Sequence, residues 1–333
     1  MKLNNFFYCF FLLLLVASCN EINKEKLVTN SGETQGTFYY IKYINQSGYD
    51  LHSKIDSLLF LVDNSLSTYN ENSLLSKINK NNEFIVDFLI KEVFLKSKEI
   101  SKETDGFFDC SVAPLVNAWG FGFSQKEKMD SIKVKQLLNI VGFNKIDLKN
   151  DSIIKPIKML LDFNSIAQGY TVDLVAKLLE INGVNNYLIE IGGEIRSKGK
   201  NPSNKLWTIG VDKPNEEIDP KDRFQFILEL KNKSLATSGN YRKFFIEDGT
   251  KYSHIINPKT GFPAKNRLLS VTVIHDNCME ADAYATAFMV MGLQKSKEFI
   301  YKKEDLEVYF VYSNMDGELE SFITEKFEKR IID

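Results

Sequence analysis

The chain has 333 residues, of which 44% are hydrophobic and 26% charged, proportions close to those of ordinary globular proteins. A chain of this length can bury one large core or two smaller ones. Its formal net charge of −2 is spread without long runs of one sign, which argues against nucleic acid or anionic lipid headgroups as partners.

The N-terminal segment has the pattern of an export signal. Lys2 is followed by an apolar run from Phe6 to Val16, which as a helix spans only about half of the ~30 Å hydrocarbon core of a bilayer. Small residues then precede Cys19, an order that resembles the bacterial lipobox, in which the signal is cut before a cysteine that becomes acylated. A plain secretory signal beside a chance cysteine is the alternative.

The lipobox interpretation predicts how the N-terminus is divided and where the protein is located. Residues 1–18 are predicted to be a signal peptide, and residues 19–33 an acylated cysteine with a polar, flexible tether. The expected location is the bacterial cell membrane, with the chain lipid-anchored and facing the periplasm.

Hydrophobic periodicity predicts the elements of the first half of the chain. They are, in chain order, a strand at 37–44, a helix within 51–62, helices at about 86–102 and 133–141, a mostly strand-like segment at 153–163, and a helix at 170–181 with Gly183 as its C-cap.

The second half is richer in predicted strands. They fall at 187–191, 207–211, 224–230, 243–246 and 268–274, with a hairpin turn at 247–250, a helix at 281–291 and a final strand pair at 307–312 and 318–323. Strands that run in adjacent groups favour an α+β fold with mostly antiparallel sheets and flanking helices. We expect a single compact domain of one or two lobes at residues 34–330.

After processing, Cys110 and Cys278 are the ordinary thiols of the chain. They can pair in an oxidising compartment or stay as two buried, inert thiols, and both alternatives remain open at this stage. Neither has the spacing of a zinc ligand.

A carboxylate and a hydroxyl share one face of the helix predicted at 281–291. Asp282 and Thr286 are four residues apart and therefore lie one turn from each other. Two hard oxygen ligands suit Mg²⁺ that takes its remaining ligands from water and phosphate. Taken alone, this pair is more often a cap or a solvent-exposed pair.

His254 lies where a predicted strand runs into the Pro/Gly turn of residues 257–261. Imidazole titrates near neutral pH and can accept a hydroxyl proton, so His254 is a candidate general base. A packed structural histidine is the alternative. His52 and His275 lie in no comparable turn.

Four segments rich in Gly, Ser and Asp are predicted to be loops that can present backbone N–H groups to phosphates. They are residues 104–109, 164–170, 190–194 and 237–241. The second opens a helix, whose N-terminus favours an anion. None matches a Walker or GxGxxG pattern, and each alone is more often a simple turn.

Eight segments, taken together and in order, resemble the ApbE family of FAD:protein FMN transferases. They are GTFYYIKY, LSTYNENSLLSKIN, TDGFFDCSVAPLVNAWGFG, LDFNSIAQGYTVDLVAKLL, YLIEIGGEIRSKG, ATSGNYRKFF, YSHIINPKTGFP and EADAYATAFMVMG. The resemblance covers the chain from about residue 34 to residue 323.

The resemblance implies an activity and a set of site residues. FAD and Mg²⁺ are expected to bind in a cleft, FMN to pass to a threonine or serine hydroxyl of an exported or membrane-bound acceptor protein, and AMP to leave. Asp282, Thr286 and the Ala167 carbonyl are the implied metal ligands, and His254 is the implied catalytic residue. The implied cofactor-binding residues are Tyr69, Gly106, Phe107, Phe108, Asp109, Asn164, Tyr170, Thr237, Ser238, Gly239 and Ile256.

Two other functions fit the same residues. One is a Mg²⁺-dependent FAD pyrophosphatase without a protein acceptor, and the other is a lipoprotein that binds FAD without turnover. The presence of His254, Asp282 and Thr286 disfavours pure binding, because storage requires no base. Gln168 stands where many relatives carry Lys, and it cannot supply a positive charge to a phosphate.

Overall fold

The fold is built around one large sheet. The computed structural model describes residues 26–45, 48–122, 125–213, 223–240, 244–247 and 250–332. In chain order the strands are β1 (Lys26–Thr34), β2 (Thr37–Asn45), β3 (Asp147–Lys149), β4 (Ser152–Ile154), β5 (Tyr187–Ile191), β6 (Glu194–Lys198), β7 (Trp207–Asp212), β8 (Phe224–Leu230), β9 (Ser234–Gly239), β10 (Phe244–Glu247), β11 (Thr250–Ser253), β12 (Leu268–His275), β13 (Glu307–Ser313) and β14 (Leu319–Ile323).

The strands of this described part pair in one large sheet and three small hairpins. The sheet has the order β1-β2-β5-β6-β9-β12-β13-β14, and each neighbouring pair is antiparallel. The hairpins are β3–β4, β7–β8 and β10–β11. The predicted α+β class with a mostly antiparallel sheet and flanking helices is confirmed.

The described helices lie between strands in sequence, except for the last, which follows β14. They are α1 (His52–Leu66), α2 (Leu74–Asn79), α3 (Phe88–Glu103), α4 (Ala113–Ala118), α5 (Ser131–Leu138), α6 (Ala167–Ile181), α7 (Cys278–Met291), α8 (Leu293–Ile300) and α9 (Glu325–Glu328), with a 3₁₀ turn at Phe143–Lys145. None of the helices in this part of the chain is long and apolar enough to cross a membrane.

Helices α6 and α7 pack on each other and on the centre of the sheet. Helix α6 contacts β5 and β6, and α7 contacts β9 and β12. Helix α7 is buried on almost every side, since Ala281, Ala283, Ala285, Ala287 and its aromatic residues are all inaccessible to solvent. A helix of this kind belongs to the core of a protein. Any polar side chain on it is therefore held in a defined place.

The predicted tether is too long at its C-terminal end. Residues 26–34 form β1, which pairs with β2 along its whole length across the turn at Gln35 and Gly36. Most side chains of β1 are exposed, so its polar sequence resembles a tether. Backbone hydrogen bonds to β2 hold it, as in other edge strands. The signal peptide and Cys19 lie outside the described residues.

The strand-like segment predicted at 153–163 is wrong after Ile154. Met159, Leu161 and Phe163 are buried alternately, which imitates the period of a strand, but they are not in a ladder. The side chain of Asn79 takes the place of a neighbouring strand, because it donates to the carbonyl of Leu161 at 2.8 Å and accepts from its N–H at 2.8 Å.

The two cysteines are free thiols in separate parts of the core. Cys110 lies in the cluster around α3 and α7, and Cys278 in the cluster around α1 and α6. Burial raises the pKa of both thiols. Of the two alternatives left open above, the structure has the buried, unpaired thiols.

Candidate active site

A cavity of about 1180 Å³ opens beside the N-terminal end of α6. Its wall combines one face of α7, the end of β9, the turn between β5 and β6, and the loop after α3. The predicted site residues that line it are Tyr69, Phe107, Phe108, Asp109, Asn164, Ala167, Thr237, Ser238, Gly239, His254, Ile256, Asp282 and Thr286. Residues far apart in the sequence therefore meet around one space.

Asp282 joins the two central helices at the cavity. Its carboxylate accepts a hydrogen bond from the backbone N–H of Gly169 at 3.1 Å, which is one of the N–H groups that the first turn of α6 leaves without a helical partner. Gly169 permits this contact, because a Cβ there would lie 2.3 Å from the carbonyl oxygen of Cys278. The close crossing brings the first turn of α6, with Ala167, next to Asp282.

Thr286 lies one helical turn from Asp282 and contacts the sheet. Its Oγ1 is 3.2 Å from the Oγ of Ser238 on β9. The carbonyl of Ala167 accepts from the Thr171 hydroxyl at 2.7 Å, and a carbonyl oxygen has a second lone pair. The helix spacing thus presents a carboxylate and a hydroxyl to the cavity.

Glu194 is a second buried carboxylate at this wall. It is the first residue of β6, it lines the cavity, and it is only 6% exposed. Its Oε2 atom is buried and has no hydrogen-bond partner among the described residues. The sequence pattern marks Glu194 only as the last residue of the glycine-rich segment 190–194. An acidic residue directly after Gly192 and Gly193 between two strands was the available signal.

The surroundings of the two carboxylates disfavour their negative charges. Burial, followed by the nearby charge of Asp282, raises the pKa of Glu194 well above its usual value. Burial raises the pKa of Asp282 to about 7, although the hydrogen bond from Gly169 opposes this shift. In the part of the chain that the structure describes, no lysine or arginine offsets either charge.

These residues fit a divalent cation with hard oxygen ligands. The described residues contain no cluster of three His, Cys, Asp or Glu side chains that could hold a metal ion, so such a site depends on mixed donors. Carboxylate, hydroxyl and carbonyl oxygens are the donors that Mg²⁺ takes, and water and phosphate complete its shell. Within the described ranges, Glu194 has an oxygen without a hydrogen-bond partner and neither carboxylate has a basic partner, which is the arrangement that a bound cation would balance.

His254 follows β11 and faces the same cavity. Its ring lies 6.4 Å from that of Phe121 in an edge-to-face arrangement. The turn after it is held in place, because Gly261 donates to the carbonyl of Asn257 at 2.8 Å and accepts from the indole of Trp119 at 2.8 Å. A loop anchored in this way positions an imidazole for proton transfer.

The loop after α3 presents an aromatic ring to the cavity. The Phe107 ring lies below the ammonium groups of Lys259 and Lys295, at 4.8 and 4.9 Å from the ring centroid. Phe108 packs into the core. The carboxylate of Asp109 accepts from the N–H of Phe143 at 3.1 Å and from Ser111, so it holds the loop.

The structure differs from the expected arrangement of the site residues at three places. Tyr170 does not line the cavity, because it is 4% exposed and its hydroxyl donates to Glu92 on α3. Gly106 does not line it either, and its φ of 74° serves the turn that ends α3. Thr237, Ser238 and Gly239 lie in strand β9 and not in a loop; Thr237 Oγ1 is 3.0 Å from the hydroxyl of Thr272.

Tyr69 and Asn164 lie at exposed parts of the cavity wall. Tyr69 is 70% exposed, so its ring is accessible from the cavity and from solvent. The N–H of Asn164 donates to the Asp162 carboxylate at 2.8 Å, which forms a turn immediately before α6. Ile256 is buried beneath the turn that follows His254.

Comparisons with known proteins agree with this architecture. The family model described as "ApbE family" matches residues 35–310. A FAD:protein FMN transferase of Vibrio cholerae serotype O1 is 38% identical over 317 residues, or 92% of each chain, and one of Escherichia coli K12 is 32% identical over 304 residues, covering 86% of this chain and 84% of that protein.

Solved structures extend the similarity to three dimensions. The flavin transferase ApbE of Vibrio cholerae is 35% identical with a TM-score of 0.81, and the alignment covers 92% of this chain and 99% of that one. The flavinyl transferase ApbE of Pseudomonas stutzeri is 31% identical with a TM-score of 0.82, covering 92% and 97%. This chain therefore belongs to the ApbE family.

Proposed function

We propose that this protein transfers the FMN part of FAD to a threonine or serine hydroxyl of an exported acceptor protein and releases AMP. The observation that carries the proposal is that one cavity is lined by His254, Asp282 and Thr286 together. Relatives that match most of the chain are named FAD:protein FMN transferases.

The reaction exchanges one phosphorus–oxygen bond for another. The acceptor oxygen forms a bond to the phosphorus next to the flavin, the bond from that phosphorus to the bridging oxygen breaks, and AMP leaves with the bridging oxygen. The acceptor proton passes to the imidazole of His254. A positioned base of this kind contributes about 10²–10⁴-fold to a rate.

Asp282, Thr286 and the Ala167 carbonyl would hold Mg²⁺ at the wall of the cavity. Bound Mg²⁺ neutralises charge that develops on the pyrophosphate oxygens during phosphoryl transfer. The protein's part is to fix these ligands, and the close crossing of α6 and α7 at Gly169 does so.

The cavity walls supply surfaces for the two aromatic ends of FAD. Phe107 and Tyr69 both line the cavity, and aromatic rings of this kind stack on isoalloxazine or adenine. Lys259 and Lys295 lie beside Phe107 and add positive charge near this wall. Sites for ligands of this size are concave and mostly formed in advance.

We further propose that Cys19 is acylated and holds the protein at the bacterial cell membrane, facing the periplasm. Because β1 begins at Lys26, seven residue steps separate it from Cys19, which is at most ~25 Å of extended chain. An anchor of this length keeps the cavity near the membrane and raises the effective concentration of membrane-bound acceptors.

The test is transfer to an exported candidate acceptor with an exposed threonine. The purified full chain is incubated with FAD, Mg²⁺ and the acceptor, and acceptor mass and free AMP are recorded. A mass gain equal to FMN that is lost on chelation of Mg²⁺ supports the proposal. AMP and free FMN without a labelled acceptor indicate a pyrophosphatase. Intact bound FAD indicates a binding protein and contradicts transfer.

A further inference from the structure

Glu194 is fixed in direction by the tight turn that precedes it. Gly192 and Gly193 have φ values of 65° and 109°, which a residue with a side chain rarely adopts. A Cβ at Gly192 would also lie 2.7 Å from the amide nitrogen of Gln168. The backbone conformation of this turn is therefore closely determined, and β6 begins in one defined orientation.

The strand register places Glu194 on the helix-covered face of the sheet. Ile191 lies directly opposite it across the β5–β6 pair, and cross-strand partners share a face. Ile191 is fully buried in a cluster with residues of α6. Glu190 pairs with Ile195, so strand alternation directs it to the other face; it nevertheless lines the cavity as well, and its charge acts on Glu194.

Glu194 and Asp282 form a buried acidic pair for which the described residues provide no positive partner. Glu194 is 6% and Asp282 5% exposed, and both line the cavity. Among the residues that the structure describes, one oxygen of Glu194 has no hydrogen-bond partner, while the backbone N–H of Glu194 itself favours the charged form. Two buried carboxylates without a cation are strongly unfavourable, so a purely structural role for Glu194 would be costly.

We propose that Glu194 is a further anionic ligand of the cation at Asp282, bound directly or through one water. The inference rests on the proposed function, in which that cation is Mg²⁺. Two carboxylates together match the charge of a divalent ion, and affinity for such ions rises with the number of charged ligands. The site therefore holds its cation before FAD arrives, and the cation does not depend on the pyrophosphate for binding.

Calorimetric titration of Mg²⁺ alone into the purified full chain, without FAD, tests this inference. Glu194→Gln keeps the size of the side chain and removes its charge, and we expect it to weaken Mg²⁺ binding about 10–100-fold. Glu229→Gln is the control, since it makes the same change on strand β8, at a residue that does not line the cavity; its affinity should stay within about twofold of that of the wild type.

Thermal melting separates a ligand from a structural residue. With the cation chelated, Glu194→Gln should melt at or above the temperature of the wild type, because one of two unpaired buried charges is gone. The rise in melting temperature on adding Mg²⁺ should be smaller than in the wild type. A lower cation-free melting temperature with an undiminished Mg²⁺ response would assign Glu194 a structural role and overturn the inference.

Failure of the inference and failure of the proposed function give different results. If Glu194→Gln binds Mg²⁺ like the wild type while Asp282→Asn does not, Glu194 is no ligand and the cation site stands. If the wild type binds no Mg²⁺ in the absence of FAD, the inference is wrong, and the flavin-transfer assay with and without Mg²⁺ still decides the proposed function.

Discussion

Asp282 on α7 accepts a hydrogen bond from Gly169 in the first turn of α6, and Asp173 on α6 accepts hydrogen bonds from the first turn of α7. Each helix thus caps the N-terminus of the other. Carboxylates at helix N-termini satisfy free N–H groups and interact favourably with the helix dipole. The candidate metal ligand is therefore also part of the joint between the two central helices.

Gly169→Ala should damage both stability and flavin transfer. The added Cβ would lie 2.3 Å from the Cys278 carbonyl oxygen and 2.9 Å from Asp282 Cβ, so the two helices must separate. Overpacking of this kind costs about 1–3 kcal/mol in free energy of unfolding. Urea unfolding and the rate of acceptor labelling measure the two effects.

Gly317→Ala is the control for that substitution. Gly317 has a φ of 87°, and no atom of the described residues lies within 4 Å of the added Cβ, so its replacement causes backbone strain without a steric clash. We expect a loss of stability with the transfer rate retained. Equal loss of activity in both variants would show that the helix crossing has no special role.

Asp173→Ala should displace the helix that carries Asp282. The Asp173 carboxylate accepts from the N–H groups of Cys278 at 3.1 Å and Met279 at 2.9 Å, and it pairs with Arg196. Loss of a cap together with a half-buried ion pair should cost about 2–4 kcal/mol in free energy of unfolding. Mg²⁺ affinity should fall as well, because Asp282 moves with its helix; calorimetry measures this.

Asp87→Ala provides the matched control. Asp87 caps α3 in the same way, accepting from the N–H of Ile90 at 2.9 Å, but it is not part of the cavity wall. Its loss should lower stability by about 1 kcal/mol and leave Mg²⁺ affinity unchanged. Unaltered Mg²⁺ affinity in Asp173→Ala would contradict the positioning role.

His254→Asn should slow acceptor labelling by about 10²–10⁴-fold while FAD still binds. The substitution removes a proton acceptor from the cavity but keeps a polar side chain of similar reach. Single-turnover labelling and fluorescence titration of FAD measure the rate and the affinity separately. A labelling rate within a few-fold of that of the wild type would exclude His254 as the base.

Glu103 should make the protein sensitive to acid. Burial opposes its charge, but hydrogen bonds from Lys303 and Tyr284 hold the pKa of Glu103 below its ordinary value. A carboxyl with a lowered folded-state pKa stabilises the protein above the unfolded pKa of about 4.3, and this contribution is lost as the pH falls through the lower folded-state value.

Glu103→Gln should remove this contribution to the pH dependence of stability. Because Glu103 is about one-third exposed, we expect a modest loss of about 1 kcal/mol at pH 7. The stabilities of the two proteins should then converge as the pH falls below about 4. Unfolding by urea across this pH range measures the difference, and a constant difference at every pH would contradict the assignment.

A chain that begins at residue 34 should be less stable than one that begins at residue 26. The shorter chain lacks β1, which leaves the backbone of β2 as an exposed sheet edge. We expect a lower melting temperature and a tendency to self-associate, measured by calorimetry and light scattering. Identical behaviour of the two chains would mean that β1 contributes no stability.

Local patterns in the sequence predicted those parts of the site that depend on one helix or one turn. The spacing of Asp282 and Thr286 is decided by helix geometry, and both line the cavity. Tyr170 also has a helical pattern, but the pattern does not say which neighbour its side chain meets. In the structure that neighbour is Glu92, so Tyr170 packs away from the cavity.

The sequence did not predict features that depend on contacts between distant segments of the chain. The polar strand β1 lacks an apolar pattern, because an edge strand is held by its backbone ladder. Glu194 lies 88 positions before Asp282 in the sequence. The two become neighbours only because the β5–β6 hairpin packs close to α7 in the folded chain. Burial and proximity are tertiary properties, so no local window contains them.

The sequence by itself determined the α+β class, most helices and strands, the family resemblance and the helical pair Asp282–Thr286, since these follow from periodicity and short-range spacing. Only the tertiary structure decided the extent of the domain from Lys26, the free state of Cys110 and Cys278, and the buried pairing of Glu194 with Asp282. The reason is physical: the charge of a carboxylate depends on the solvent and charges around it, and these are brought together only when the chain is folded.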